Sequence, residues 1–327
     1  MVKANLLIAG DDLKFIQPLV PYLKPDFNIR FDRWAGPEQH NEQESFSLLK
    51  WAEVVHCEWL LGNTVWYSWN KLPGQVLTTR IHFFELKREY GNLLNIENID
   101  KFIAVSRPIL ERTVEEFRIP RAKICVIPNG IEDKSSLSSC FGTERFYNLA
   151  IIGAIPARKG LHRALRILSR LRAIDSRFNL KIYGMAANQV DWVWNDPNQR
   201  KYFERCSELI EHYKLTDSVH WVGWTKMSDE YKNIGFVLSL SDEESFHVAP
   251  VEGALNGVLP LILSWPGAYW VHPHENIFDS TDRIVEAILC YLDPKKYLGA
   301  LTNTQEFYRR YSAETVSRQF VEAWKMN

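Results

Sequence analysis

Short apolar runs alternate with stretches of helical periodicity along the 327-residue chain. In the first part the runs NLLIA (5–9), AEVVHCE (52–58), QVLTTRIH (75–82), FIAVS (102–106) and KICVIP (123–128) stand out. They are short and rich in β-branched residues, the pattern of parallel strands buried on both faces. Between them FIQPLVPYL (15–23), SFSLLKWA (45–52) and RPILERTVEEF (107–117) have helical spacing. Ser106 reads as the N-cap of the last of these, and Pro108 suits its first turn. A polar, aperiodic stretch follows, DKSSLSSCFGTERFYN, and predicts a linker over 133–147.

The rhythm then restarts. LAIIG, LKIYG, VHWVG, FVLSL and LPLIL predict strands, and LHRALRILSRLRA and FERCSELIEHYKL predict helices. The first three strands each end in glycine (Gly153, Gly184, Gly223), which permits a tight turn and lets a ligand approach the backbone. Two β/α series joined by a polar linker predict an α/β protein of two doubly wound, Rossmann-like domains, 1–132 and 148–305. In such sheets ligands bind beyond the carboxyl ends of the strands, and two domains facing each other place the ligand in the cleft between them.

Composition narrows the function classes. The chain is 46% hydrophobic and 24% charged with a formal charge of −1, so no basic excess points to nucleic acid. Five scattered cysteines form no C-x-x-C pair, which removes zinc-ribbon and disulfide-framework readings and favours a reducing, cytoplasmic setting. MVKANLLIAGDD reads as a first strand rather than a secretory signal, and no run has the length of a spanning helix. Peripheral contact with the inner face of a membrane is compatible with this composition.

The chemistry concentrates where strands meet helices. In DEESFHVAPVEGALNG, Glu244 precedes Ser245, Phe246, His247 and Val248, Pro250 suits a first helical turn, and Glu252 lies one turn in. A helix N-terminus offers backbone N–H groups and a positive dipole end to phosphate, while carboxylates accept from hydroxyls. Alone, Glu252 reads as a helix-terminus residue and Glu244 as a solvated loop acid. In IIGAIPARKGLHRAL, Gly153 leads to Arg158 and Lys159 just before a helix, an anion site or a solvated basic turn. His82 ends a predicted strand with Glu85 close by. Gly10, Asp11, Asp12, Glu58, Trp59 and Asn63 cluster at other strand ends, as candidate site residues or as helix caps and core packing. His272-Pro-His274 lacks a third ligand, and no metal or cofactor is expected.

Taken together, strand–G…RKG–helix, LKIYG, VHWVGW, S-x-x-E-S-F…E-G-A…G-V-L-P and KICVIPNGIE resemble the family 4 retaining glycosyltransferases of GT-B fold (glycosyl transferases group 1) over most of the chain. The resemblance implies a nucleotide-sugar donor, with UDP the commonest base carrier, held by the second domain. Arg158 and Lys159 then bind the diphosphate, and the backbone of Ser245, Phe246, His247 and Val248 serves phosphate and sugar. Glu244 holds sugar hydroxyls, Glu252 the ribose, and His82 assists transfer from the first domain. The acceptor is a hydroxyl of a saccharide, a lipid-linked saccharide or a small molecule, with Gly10, Asp11, Asp12, Glu58, Trp59, Asn63 and Glu85 as the acceptor-side candidates. A tail of about 306–327 is expected to return to the first domain. Two departures stand out: Ala154 where the family often has arginine, and His247 where glycine is usual. They feed an alternative reading as an inactive nucleotide-sugar-binding partner of another transferase; a sugar-nucleotide epimerase of the same architecture is a further alternative.

Overall fold

The computed structural model describes residues 2–133 and 142–325. It divides the chain into two compact units, Met1–Glu132 with Arg310–Asn327, and Asp133–Arg309. Most of the expected linker lies at 134–141, outside the described residues.

The first unit is built on a parallel sheet of β1 (Ala4–Gly10), β2 (Phe27–Arg33), β3 (Val54–Cys57), β4 (Val76–Ile81), β5 (Lys101–Ala104) and β6 (Ile124–Val126), in the order β2-β1-β3-β4-β5-β6. Five of these strands coincide with the apolar runs. The sixth, β2, was not legible as one: FNIRFDR alternates apolar with polar residues because it is an edge strand, wet on one face. FIQPLVPYL does not form the continuous helix its spacing suggests. It gives a 3₁₀ turn at Gln17–Leu19 and a single turn, α1 (Val20–Leu23), each with a proline at its start. Proline has no N–H to continue a preceding helix, so Pro21 resets the spiral. The remaining helices before the boundary are α2 (Glu42–Trp51), α3 (Gly62–Asn70) and α4 (Arg107–Phe117), the last with Ser106 at its N-cap position.

The second unit has β7 (Asn148–Ile152), α5 (Leu161–Arg172), β8 (Asn179–Tyr183), α6 (Asp191–Trp194), α7 (Pro197–His212), β9 (Val219–Gly223), α8 (Met227–Glu230), β10 (Phe236–Ser239), α9 (Val248–Leu255), β11 (Leu259–Leu263), β12 (Ile277–Phe278), α10 (Thr281–Cys290) and α11 (Pro294–Tyr308). Its parallel sheet runs β12-β11-β10-β7-β8-β9. Helix α5 buries Leu161, Ala164, Leu165, Leu168 and Leu171, a stripe at three- and four-residue spacing, against a core that includes Ile182, Leu238 and Leu261. The end of the expected linker is built into this unit. Residues Thr143–Tyr147 form a 3₁₀ turn, and the buried Arg145 donates to the carbonyls of Ile234 (2.9 Å) and Gly257 (2.8 Å).

After α11 the chain rejoins the first unit at Arg310, and α12 (Ala313–Trp324) packs Val316, Phe320 and Trp324 with Leu6, Ile8 and Ile103. Reciprocal backbone bonds fix its entry, from Ile131 N–H to Tyr311 O and from Ala313 N–H to Ile131 O, both 2.8 Å.

Each sheet has one switch point, where successive strands are laid down in opposite directions: between β1 and β3 in the first unit and between β7 and β10 in the second. Doubly wound sheets bind ligands at the carboxyl ends of these strands.

Candidate active site

The switch point of the second unit carries the basic loop and the acidic loop together. After β7, Gly153 turns at φ 79°, and Arg158 and Lys159 lie on a 3₁₀ turn (Ala157–Lys159) that feeds α5 through Gly160 at φ 76°. Gly184 and Gly223 also have positive φ, 109° and 84°, so all three strand-ending glycines make turns that other residues rarely adopt. A Cβ at Gly153 meets nothing within 4 Å, so its backbone is open to close approach.

Lys159 Nζ forms an ion pair with Glu244 Oε1, although 85 residues separate them. The same oxygen accepts from Ser241 Oγ at 2.7 Å and lies 3.6 Å from Arg158 Nη1 and 3.8 Å from His247 Nδ1. Arg158 Nη1 also donates to Glu243 O at 2.7 Å. Burial opposes charge on Glu244, but His247, Lys159 and Arg158 together outweigh it and hold the carboxyl at about 2. Lysine has three donors, so one bond to Glu244 leaves Lys159 two for an arriving phosphate.

The acidic loop ends at His247, the N-cap of α9, with φ 57°. This left-handed conformation is natural to glycine and strained for a histidine. Its Nδ1 lies 2.7 Å from Ser239 Oγ. Burial, opposed by the Glu244 charge, pushes this imidazole down to about 4 and leaves it neutral near neutral pH. No side chain caps α9, whose first residue is Val248; Ser245 is part-buried and Phe246 buried, 1% exposed. Glu252, one turn in, faces Tyr231; burial first, and then the Glu252 charge, raise that phenol well above its usual range.

The first unit gathers its candidates at its own switch point and the adjoining end of β4. A Cβ on Gly10 would come 2.9 Å from Glu58 O, so β1 and β3 need glycine there. Asp12 caps locally, accepting from Lys14 N–H at 3.1 Å and pairing with Lys14 Nζ at 2.6 Å, while Asp11 accepts from Asp12 N–H at 2.9 Å. Trp59, at φ 64°, donates its indole N–H to Asp12 O at 2.8 Å. Asn63 is 1% exposed, and its amide donates to Ala9 O and Glu58 O at 3.0 and 2.9 Å, joining β1 to the loop after β3. His82 is buried and packs against the rings of Trp59 (4.2 Å) and Phe15 (4.8 Å), which also touch each other. Glu85 Oε1 accepts from the His82 N–H at 3.1 Å and lies 3.7 Å from His82 Nδ1. Glu58, fully buried, lies 3.3 Å from both Arg80 Nη2 and His56 Nε2. Burial opposes its charge, and Arg80 with the neighbouring histidines brings its carboxyl below the usual value.

His272 and His274 do not form a pair of ligands: His272 is buried against Tyr308 Oη at 2.7 Å, while His274 is exposed and packs on Tyr269. Among the described residues no group of three or more His, Cys, Asp or Glu side chains is arranged to hold a metal. None of their helices is long and apolar enough to cross a membrane.

The site also uses residues to which the sequence reading gave no role: Ser239, Ser241, Tyr231 and Arg80. Arg80 carried a signal, since a charged residue inside the β-branched run QVLTTRIH implies a buried partner. Ser241 opens the S-x-x-E-S-F motif, whereas Ser239 closes a strand run and carried no signal.

Two Rossmann-like units each carry their polar groups at the switch point, and two family models match them. The family model described as Glycosyl transferases group 1 matches residues 143–293, and Glycosyltransferase Family 4 matches residues 18–135. The two span most of both units, and the chain belongs to the group 1 glycosyltransferases. No curated protein matches the sequence. Among solved structures, a glycosyltransferase from Rickettsia africae has a TM-score of 0.78 at 15% identity, over 99% of this chain and 98% of that one. HepE from Anabaena, in complex with UDP and glucose, has a TM-score of 0.70 at 15% identity over 98% of each chain. Sucrose-phosphate synthase from Thermosynechococcus elongatus gives the same three values. At this identity the likeness is one of fold.

Proposed function

We propose that this enzyme transfers a sugar from a nucleotide diphosphate donor, UDP-linked, to a hydroxyl of a saccharide, lipid-linked saccharide or small-molecule acceptor, with retention of anomeric configuration and without a metal. The observation that carries the reading is the meeting of Arg158, Lys159 and Glu244 at the switch point of the second sheet. Two cations beside a helix N-terminus suit a diphosphate, and a carboxylate held charged among them suits sugar hydroxyls. Glu252 takes the ribose, and the backbone of 245–248 serves the phosphate and sugar. The complex of the similarly folded HepE with UDP and glucose supports the choice of base.

In this mechanism the acceptor oxygen attacks the anomeric carbon on the face from which the diphosphate leaves. The carbon–oxygen bond to the distal phosphate breaks, and that phosphate takes the acceptor's proton. Lys159 and Arg158 stabilise the charge growing on the leaving group, so no enzymatic nucleophile is needed. His82, carried by the first unit with the acceptor-side residues Asp11, Asp12 and Trp59, assists by positioning.

A thermal-shift panel of UDP-, GDP- and ADP-sugars tests the donor, because selective binding raises the melting temperature by mass action. UDP-sugars are expected to give the largest shift, and no shift with any nucleotide sugar refutes the reading. Slow UDP release without acceptor separates a transferase from a partner that only binds. The anomer of the product, read by NMR, tests retention, and unchanged activity in a chelator tests metal independence.

A further inference from the structure

We propose that Asn129, clamped by Arg80, is a positioning residue that fixes a proton on His82 Nε2 and leaves His82 Nδ1, beside Glu85, as the nitrogen where this ring gains or loses a proton. The inference rests on the reading of His82 as a participant in transfer.

The two ends of an asparagine amide differ in chemistry, and their orientation follows from their partners. Arg80 has only donors, and its Nη1 stands 3.1 Å from Asn129 Oδ1, which identifies that atom as the oxygen. The same oxygen lies 3.4 Å from His82 Nε2. An oxygen already accepting from arginine accepts again from N–H, so Nε2 carries hydrogen whether the ring is neutral or charged.

The clamp is itself immobile. Arg80 and Asn129 are 0% and 1% exposed. Arg80 pairs with Glu58 at 3.3 Å, and the ring of Phe320 lies 4.6 Å from its guanidinium carbon. Glu58 continues to His56 Nε2 at 3.3 Å, and His56 Nδ1 to Thr78 Oγ1 at 2.9 Å, where Trp324 Nε1 also donates at 2.9 Å. Helix α12 thus roofs a chain of buried polar groups ending at His82. Phe15 and Trp59 pack against the imidazole and restrict a ring flip.

At the other nitrogen the surroundings are different. Among the described residues, His82 Nδ1 and Glu85 Oε2 are buried atoms with no hydrogen-bond partner. Buried polar atoms left in this way are costly; the clamp has three of its own, Glu58 Oε2, Arg80 Nε and Arg80 Nη2, so what sets Nδ1 apart is the carboxylate beside it. A proton arriving on Nδ1 meets the Glu85 carboxylate 3.7 Å away, so this nitrogen is the one equipped to change state.

Nitrogen-15 NMR of histidine-labelled protein tests this, with the His82 signals assigned by their loss in His82→Ala. In the wild type, Nε2 is expected to stay protonated through a pH titration while the Nδ1 shift moves, and the Nε2 proton is expected to exchange slowly. Asn129→Leu should lose the slow proton and lower kcat about tenfold or more, with donor KM unchanged. Asn129→Asp, which keeps an acceptor oxygen, should retain the slow proton. The effect of Asn129→Leu on kcat should vanish in a His82→Ala background. Titration at Nε2 in the wild type, or a slow proton surviving in Asn129→Leu, overturns the proposal; the wild-type titration decides even if that variant does not fold. Should His82→Ala leave transfer unchanged while the NMR holds, the functional reading of His82 fails and the positioning geometry stands.

Discussion

Lys159 and Glu244 meet as an ion pair at the end of the second sheet's central strands, with the Glu244 side chain 7% exposed and that of Lys159 17% exposed. Lys159 is placed to neutralise a leaving group, and Glu244 to hold both the lysine and a sugar hydroxyl. Lys159→Ala is expected to weaken nucleotide diphosphate binding and to cut kcat about 100-fold, the scale of losing one charge-stabilising donor. Glu244→Ala should cut kcat similarly with a smaller effect on binding of the bare nucleotide. Calorimetric titration with UDP and steady-state kinetics check both, and unaltered UDP affinity in Lys159→Ala contradicts the phosphate assignment.

The acid response of the second unit should fall in two limbs. Glu244 has an ordinary value of 4.5 and a folded value of about 2, so its contribution is complete above pH 4.5 and disappears as pH falls towards 2. For His247 the values are 6.5 and about 4, so its contribution is complete above pH 6.5 and disappears as pH falls towards 4. The limbs are coupled, because each group's charge acts on the other across 3.8 Å, so removing His247 also moves the Glu244 carboxyl back towards its ordinary value. Glu244→Gln should flatten the lower limb and His247→Asn the upper one, as read from urea midpoints across pH. Asparagine tolerates the left-handed backbone at this position.

Gly160 is required twice over. Its φ of 76° is left-handed, and a Cβ there would be driven into the carbonyl oxygen of Leu240, which is backbone and cannot swing away. Gly160→Ala is expected to cost at least about 2 kcal/mol, the left-handed penalty plus the clash. Because Gly160 follows Lys159, UDP affinity should fall as well. Chemical denaturation and ligand titration on the same sample test the pair.

Trp324 has 1% of its surface exposed, and its indole N–H bonds Thr78. Trp324→Ala should destabilise the first unit by about 3–5 kcal/mol, as large-to-small core changes do. Trp324→Phe should recover most of the packing but not the bond to Thr78. Denaturant midpoints rank the three proteins.

What the sequence revealed follows burial. Strands covered on both faces, such as NLLIA and FVLSL, leave unbroken apolar runs, and their terminal glycines mark the turns that shape the site. FNIRFDR was hidden because an edge strand mixes polar with apolar residues, and FIQPLVPYL was overread because spacing alone ignores Pro18 and Pro21. That Arg158, Lys159 and Glu244 belong to one site was legible only through the family resemblance, since each loop alone also read as solvated, and the ion pair between Lys159 and Glu244 left no mark in the sequence. The clamp on His82 was not legible: Arg80 and Asn129 are 49 residues apart, and only the fold brings them together.

The return of α12 has a bearing on biosynthesis. The apolar floor of the first sheet, including Leu6, Ile8 and Ile103, is covered by a segment translated after the entire second unit. The second unit is one continuous piece of chain and can close on the ribosome, whereas the earlier-made sheet must wait with that floor bare. Premature termination ahead of Ala313 therefore leaves a nascent product with a sticky, chaperone-dependent first half.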